Sequence, residues 1–210
     1  MKLVDYNFRE LYKQLVIVKG DKASAAARQM LAENGYIPSS LMDAVLCYCY
    51  IDIEAGMSFE YLCFIDSDRK KADIASYEQL IIKKQRLFYR YNTIRDYEVE
   101  IYRGDVTAFQ ERCLMIDTSY NNDKKVAVTR DIEIIDELRF PVNPDDISVL
   151  LLKKELQTEL VWVRMTGIED GKIVGTLLNE PNSDFGIHYS DKISVDIIKQ
   201  EDRIIAYCAF

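Results

Sequence analysis

The chain has 210 residues, of which 49% are hydrophobic, and it carries 35 Asp and Glu against 27 Lys and Arg, a net charge of −8. This length and apolar content suffice for one large or two small domains with a buried core, and they exclude a disordered chain. The acidic balance argues against general nucleic-acid binding, which needs a basic surface to displace counterions from phosphates. It favours a basic protein partner instead, through electrostatic steering.

The sequence predicts neither a membrane segment nor a disulfide framework. The N-terminal residues lack the apolar stretch of a signal peptide, and the longest apolar runs, such as Ala44 to Ile51, are too short to cross a bilayer. The cysteines are odd in number, and no Cys-x-x-Cys occurs among them. They are Cys47, Cys49, Cys63, Cys113 and Cys208. We therefore expect a cytoplasmic protein with reduced, buried thiols.

Helical periodicity dominates the first half of the chain. Gly20 and Gly35 are placed to end two helices, the second in the left-handed conformation. The predicted elements are, in chain order, helices at about 5–19, 21–34 and 38–48, a strand at 59–65, a helix at 76–92 and a strand at 97–102. In the third of these helices Cys47 and Cys49 would point to nearly opposite sides, so they predict no metal site.

The predicted helix at 76–92 lies in a basic segment. Residues 69–95 hold eight Lys and Arg against two acids, a local net of +6. The apolar face comprises Tyr77, Leu80, Ile81, Leu87, Phe88 and Tyr91. The cations Lys83, Lys84, Arg86 and Arg90 could contact RNA, with Tyr89 and Tyr91 as stacking groups. A solvated helix face is the simpler interpretation, because a surface helix needs polar residues opposite its apolar stripe.

The middle of the chain contains the predicted domain boundary. Residues 106–120 are ambiguous between helix and strand, and we predict a helix that runs into a strand. Asn121-Asn122-Asp123 predicts a loop, and residues 125–129 predict a strand. Arg139 to Asp146 contains Pro141 and Pro144 and is the best candidate linker. We therefore predict an α+β fold: a helix-rich N-terminal domain with a mixed sheet at 1–140, followed by a small antiparallel β-rich domain at 141–210.

The segment from Trp162 to Pro181 predicts a β-hairpin. Asp170-Gly171 suits a type I′ turn, because both central positions of that turn need positive φ. The predicted cross-strand pairs are Glu169 with Lys172, Ile168 with Ile173, Val163 with Leu178, and Trp162 with Asn179. The predicted core face is Val161, Val163, Met165, Val174, Thr176 and Leu178, and the mixed outer face is Leu160, Trp162, Arg164, Thr166, Leu177 and Asn179. Further strands are predicted at 193–197 and 204–210.

This hairpin resembles the bacterial domain-of-unknown-function family typified by YegJ. That family has a tryptophan-led strand, an acidic-Gly turn and a Gly-x-Leu-x-Asn-x-Pro strand end. The matching residues are Trp162, Asp170, Gly171, Gly175, Leu177, Asn179 and Pro181. The resemblance covers about the last third of the chain, although Ser190-Asp191 stands where the family tends to have Gly-Asp. Related small domains occur among toxin-immunity proteins, so the resemblance implies a binding role.

The catalytic inventory of the sequence is small. His188 is the single histidine, so a two-histidine metal site is excluded within the chain. A His188–Asp184 acid/base pair is conceivable, but an exposed loop histidine is the simpler interpretation. The glycines form neither a P-loop nor a dinucleotide-binding turn. We therefore predict no enzyme, no cofactor and no metal.

Two functions from different classes remain open. The preferred one is a non-catalytic protein-binding protein of the immunity-like or regulatory kind, with a site comprising Trp162, Arg164, Asn179, Asp184 and His188. In the simpler interpretation of Trp162, the N-terminal domain covers it and the side chain is core. The alternative is a small hydrolase or transferase that uses Asp184 or Glu180 with His188, which would require these groups to converge in a pocket.

Overall fold

The computed structural model describes residues 1–120 and 123–210, and it shows an α+β protein. Contacts divide the chain into two compact units, residues 1–120 and 121–210. The division therefore falls twenty residues before the predicted boundary at 140. Of the predicted loop at Asn121-Asn122-Asp123, the two asparagines lie outside the described residues, and Asp123 caps a helix through its side chain.

The first unit is built on a six-stranded sheet in which every pairing is antiparallel, so the predicted mixed sheet is wrong. Its strands are β1 (Leu15–Lys19), β2 (Ala44–Asp52), β3 (Gly56–Asp66), β4 (Lys71–Ala72), β5 (Phe88–Arg90) and β6 (Glu98–Ile101). Its α-helices are α1 (Phe8–Leu11), α2 (Asp21–Ala32), α3 (Ile74–Ile82), α4 (Tyr91–Ile94) and α5 (Gln110–Tyr120). The strand order is β4-β3-β2-β1-β6, with β5 also paired to β3. No helix among the described residues combines the length and apolar character needed to cross a bilayer.

Parts of two predicted N-terminal helices are strands in the structure, so the N-terminal part is not clearly helix-rich. The helix predicted at 5–19 stops at Leu11, and Lys13 has a φ of +59° that interrupts it before β1. The helix predicted at 38–48 is replaced by β2. Both strands are buried on both faces, and such strands carry continuous apolar runs instead of alternation. Burial therefore overrides the helical spacing in both segments.

Of the other elements predicted in the first unit, one helix and two strands are confirmed, and one helix is wrong in its second half. Helix α2 is confirmed, and Gly35 follows it with a φ of +78°. Strands β3 and β6 are also confirmed. The helix predicted at 76–92 is wrong in its second half, because it ends at Ile82 and Lys84 has a φ of +52°. The chain then continues as β5 and α4.

The second unit is a closed five-stranded barrel, which confirms the predicted β-rich C-terminal region. Its strands are β7 (Asp146–Leu152), β8 (Glu159–Glu169), β9 (Lys172–Leu177), β10 (Lys192–Gln200) and β11 (Arg203–Ala209). Consecutive strands pair antiparallel, and a parallel pairing of β11 with β7 closes the barrel. Its buried core includes Ile147, Val149, Val161, Val163, Met165, Leu177, Ile193 and Val195.

Residues 123–146 belong to this unit. They form neither the strand nor the linker that the sequence predicts. Helix α6 (Lys124–Arg130) replaces the strand predicted at 125–129. The Arg130 guanidinium donates to both oxygens of buried Asp145, at 2.8 and 2.6 Å. Arg139 is also buried and donates to the carbonyls of Thr129 and Pro144 at 2.7 Å each. These bonds fix the proline-containing segment against α6, so it does not act as a linker.

The β8–β9 hairpin has the predicted turn but a different register beyond it. Asp170 and Gly171 both have positive φ, and Glu169 pairs with Lys172 as predicted. A bulge at Thr166 then shifts the register by one residue, so that Val163 pairs with Leu177. Leu177 is therefore fully buried in the barrel, and the predicted core positions Thr176 and Leu178 are only half-buried.

Gly175 permits the close approach of the two hairpin strands. A Cβ atom at this position would lie 2.5 Å from both the Arg164 carbonyl oxygen and the Val163 side chain. We expect Gly175→Ala to lower the free energy of unfolding by about 2 kcal/mol, because overpacking forces backbone or rotamer shifts. Urea unfolding followed by circular dichroism measures the change. Exposed Ser194→Ala on β10 is the control, and an equal shift in both variants would contradict the steric explanation.

Candidate functional site

Of the predicted site residues, Trp162 and Asn179 meet at one end of the β8–β9 hairpin. The backbone N–H of Trp162 donates to Oδ1 of Asn179 at 2.8 Å, and the N–H of Leu178 donates to the Trp162 carbonyl at 2.8 Å. Because of the bulge, Leu178 and not Asn179 is the backbone partner of Trp162. The Asn179 side chain therefore fastens the end of the hairpin.

Trp162 lies on an exposed apolar surface of the barrel. Its side chain is 36% exposed, and its ring centroid lies 5.3 Å from that of Phe140, which is also exposed. Leu160, two residues earlier on the same face of β8, is 61% exposed. We call these three residues the Trp162 face. Phe140 was not predicted as a site residue, because its position beside Trp162 depends on the tertiary fold of the segment treated as a linker.

Arg164 is held in a fixed geometry next to this face. Its guanidinium donates to both carboxylate oxygens of Asp146, at 2.7 and 2.9 Å, and the two residues are direct partners across β7 and β8. Bidentate pairs of this kind restrict the orientation of the planar guanidinium. Arg164 and Asn179 thus both bond within the chain and order the strand that carries Trp162.

His188 forms an ion pair with Glu180 and not with Asp184. Its Nδ1 lies 2.7 Å from Oε1 of Glu180, whose other oxygen accepts from the backbone N–H of Tyr189 at 2.7 Å. The hydrogen bond with Glu180 raises the pKa of His188 above its ordinary value, and the same bond lowers the pKa of Glu180. The imidazole side chain is 75% exposed. The pair therefore favours the protonated imidazole in open solvent.

Asp184 has a local structural role in the same loop. Its carboxylate accepts from the backbone N–H of Gly186 at 3.0 Å, and its carbonyl accepts from Nζ of Lys153 at 2.9 Å. Its charge contributes to the raised pKa of His188, but less than Glu180 does. The structure thus brings Glu180, Asp184 and His188 into one loop, with Glu180 as the partner of the histidine.

A charged network in the first unit was not predicted from the sequence. Glu60 on β3 is fully buried, and its carboxylate accepts from Arg112 of α5 and from Arg86 at 2.6 Å. Arg86 also donates to the Tyr120 hydroxyl at 3.2 Å. On the same helix, Asp117 accepts from the Tyr48 hydroxyl at 3.0 Å. These bonds attach α5 to the sheet through polar groups, and no local sequence pattern identifies such long-range pairs.

The RNA-binding interpretation loses its proposed stacking groups. Tyr89 is buried and its hydroxyl donates to the Ala23 carbonyl at 2.8 Å, and Tyr91 is buried as well. Of the proposed cations, Arg86 pairs with Glu60, and Arg90 pairs with Asp52 at 3.1 Å. The aromatic rings that would stack on bases therefore belong to the core of the unit.

The cysteines are free thiols, and four of the five are buried. Burial raises the pKa of Cys47 and Cys49, so both stay protonated at neutral pH. Within residues 1–120 and 123–210, no group of three or more His, Cys, Asp or Glu side chains is arranged to hold a metal ion.

Comparison of the chain with protein-family models, with curated proteins and with solved structures found no match. The resemblance to the family typified by YegJ therefore stays a prediction.

The single histidine makes the Glu180–His188 pair directly measurable. We expect an imidazole pKa above 6.5 in the native chain and a value closer to 6.5 in Glu180→Gln, because the amide loses the charge that favours the imidazolium. The pair stabilises the fold fully between pH 4.5 and pH 6.5, and this contribution is lost as pH rises through the raised pKa of His188 or falls through the lowered pKa of Glu180. A ¹H–¹³C NMR titration reads the one imidazole directly. Equal pKa values in both proteins would contradict the pair.

Loss of the Glu60 carboxylate should destabilise the first unit. We expect Glu60→Gln to lower the free energy of unfolding by about 3 kcal/mol, because Arg112 would keep a largely buried charge without its counterion. Urea unfolding measures the change. The matched control is Glu100→Gln, since the ion pair of Glu100 with Lys70 is solvent-exposed and should contribute less than about 1 kcal/mol. Similar effects of the two substitutions would refute the role assigned to Glu60.

Proposed function

We propose that the protein is a non-catalytic protein-binding protein, of the immunity-like or regulatory kind, that holds a basic protein partner through the Trp162 face. The observation that supports this most strongly is the exposure of Trp162 next to exposed Phe140 and Leu160. Clustered exposed apolar residues of this kind are typical of interaction sites. Tryptophan is also enriched among the residues that dominate binding energy.

The surroundings of Trp162 support preorganised binding. Asn179 holds its backbone, Phe140 packs against its ring, and the Arg164–Asp146 pair orders the next outward position of β8. A side chain that is already fixed loses less conformational entropy when a partner covers it. The face is thus suited to tight association with little rearrangement.

The charge of the second unit supports a basic partner. Residues 121–210 contain 17 Asp and Glu against 11 Lys and Arg, a net of −6 out of −8 for the whole chain. An excess of one sign accelerates encounter with a partner of opposite sign and disfavours partners of like sign.

The alternative function is a small hydrolase or transferase that uses Glu180 or Asp184 with His188. The 2.7 Å contact of His188 with Glu180 is the observation in its favour. Against it, the side chains of His188 and Glu180 are 75% and 55% exposed, so the pair is open to solvent and not enclosed in a pocket that would surround a substrate. We therefore prefer the binding function.

The test uses the full chain to recover a stoichiometric partner from the native cell and then titrates the purified partner by calorimetry. We expect Trp162→Ala to weaken binding by about 2 kcal/mol, roughly thirtyfold, because truncation of a central aromatic anchor removes its buried contact area. Added salt should also weaken binding of the native chain, because it screens the attraction between the acidic second unit and the basic partner and so slows association.

The matched control is Ile168→Ala, which removes another exposed apolar side chain of β8, near the turn. It should leave the affinity within about threefold, since single exposed apolar residues are ordinary on protein surfaces. If Trp162→Ala binds like the native chain, the Trp162 face is not the site. Loss of binding in His188→Ala alone would move the site to the Glu180–His188 loop.

A further inference from the structure

Helix α5 presents an unusual distribution of side chains. Its inward positions include Arg112 and Asp117, which bond to Glu60 and Tyr48, together with buried Ile116. Its outward positions include Leu114 and Met115, which are 67% and 54% exposed. A surface helix ordinarily turns its apolar residues inward and its charged residues outward. Exposed apolar residues on such a helix indicate a surface that another molecule covers.

A groove of about 360 Å³ lies between α3 and α5 of the first unit. Apolar side chains of both helices line it, among them Tyr77, whose ring packs edge-on against Phe109 with the centroids 5.1 Å apart. The other apolar lining residues are Ile81, Ile82, Ala108 and Met115. Ile81, Ile82 and Met115 are all exposed. The groove thus offers apolar side chains of α3 and α5 that are accessible to solvent.

The charges around the groove are acidic. Three charged side chains line it, and one of them, Arg112, is committed to the Glu60 carboxylate. The other two, Glu78 and Glu111, are exposed carboxylates. Lys83 and Lys84 follow the C-terminal end of α3 but are not among the lining residues. An occupant would therefore place apolar side chains in the groove and cationic side chains against the two glutamates.

We infer that this groove binds an amphipathic α-helix of a partner protein, in which basic residues flank an apolar stripe. A small ligand is ordinarily enclosed over most of its surface, whereas Ile82 and Met115 stand open to solvent. An open groove between two helices matches helix-in-groove recognition, in which residues at i, i+3, i+4 and i+7 anchor the bound helix. This site is independent of the Trp162 face, so either can fail without the other.

The test measures fluorescence polarisation of two labelled synthetic peptides with the full chain. Both are helices of about 14 residues with leucines at i, i+3, i+4 and i+7, long enough to span the groove. One carries lysines beside the leucines and the other carries glutamates at those positions. We expect the lysine peptide to bind at least about tenfold more tightly at low salt, and this preference to fall as salt screens the two glutamates.

Adjacent residues of α5 supply matched variants. Met115→Ala should weaken binding of the lysine peptide about tenfold, since Met115 lines the groove, whereas Leu114→Ala should change it less than about twofold. Both positions are exposed, so both variants should keep the native thermal unfolding midpoint. The double variant Glu78→Gln and Glu111→Gln should remove the preference for lysine over glutamate.

Three outcomes would overturn the inference. The first is the absence of saturable binding of the lysine peptide, and the second is equal weakening by Met115→Ala and Leu114→Ala. The third is self-association in analytical ultracentrifugation that Met115→Ala abolishes, because a second copy of the chain would then be the occupant. A monomeric native chain with selective, Met115-dependent peptide binding supports the partner helix.

Discussion

The bulge at Thr166 determines which side chains of β9 enter the core of the barrel. Without it, the register set by the Asp170-Gly171 turn would place Leu178 in the core opposite Val163 and turn Leu177 outward. With it, Leu177 fills the core, and Leu178 shares the strand end with Trp162. Asn179 is then free of backbone pairing and binds the Trp162 N–H through its side chain. The contacts that Leu178 and Asn179 make with the Trp162 backbone therefore depend on one inserted residue in β8.

In the first unit, helix α5 is held on the sheet partly by polar bonds. Strands β2 and β3 are almost entirely buried, and they include the charged residue Glu60. Glu60 and Tyr48 bond to side chains on the inner face of α5 and so help to hold that helix over the sheet. The inner face of α5 therefore combines these polar bonds with buried Ile116, while Leu114 and Met115 lie on the exposed side of the helix.

Local chemistry predicts much of this fold, but not the parts that depend on burial. The Asp170-Gly171 turn, Gly35 after α2, and the strands at β3, β6, β10 and β11 all follow from residue patterns within a few positions. The segments of β1 and β2 are wrongly predicted as helices, although the run Leu15–Val18 is a signal of a doubly buried strand. Gly167 is a comparable signal, since a glycine inside a strand often accompanies a bulge.

The candidate site could be predicted only in part, for the same reason. Trp162 and Asn179 come together because they lie at the end of one hairpin, whose turn is a local property of the sequence. Phe140 joins them through the fold of residues 123–146. In that segment, Arg130 bonds to Asp145 and Arg139 bonds to the Thr129 carbonyl, and no local sequence pattern indicates these pairs. The Glu60 network likewise joins residues that lie 26 and 52 positions apart. Such pairs are products of tertiary structure.

The parallel pairing of β11 with β7 has a consequence for the order of folding. Leu150 pairs with Tyr207, so nearly all of the barrel lies between the two paired residues in the chain. Closing a loop of this length costs conformational entropy, so we expect this pairing to form late in folding. Until then the outer edges of both terminal strands expose unpaired backbone groups beside apolar residues. Open edges of this kind are templates for intermolecular strand addition. The step that completes the barrel is thus also the step that protects it from aggregation.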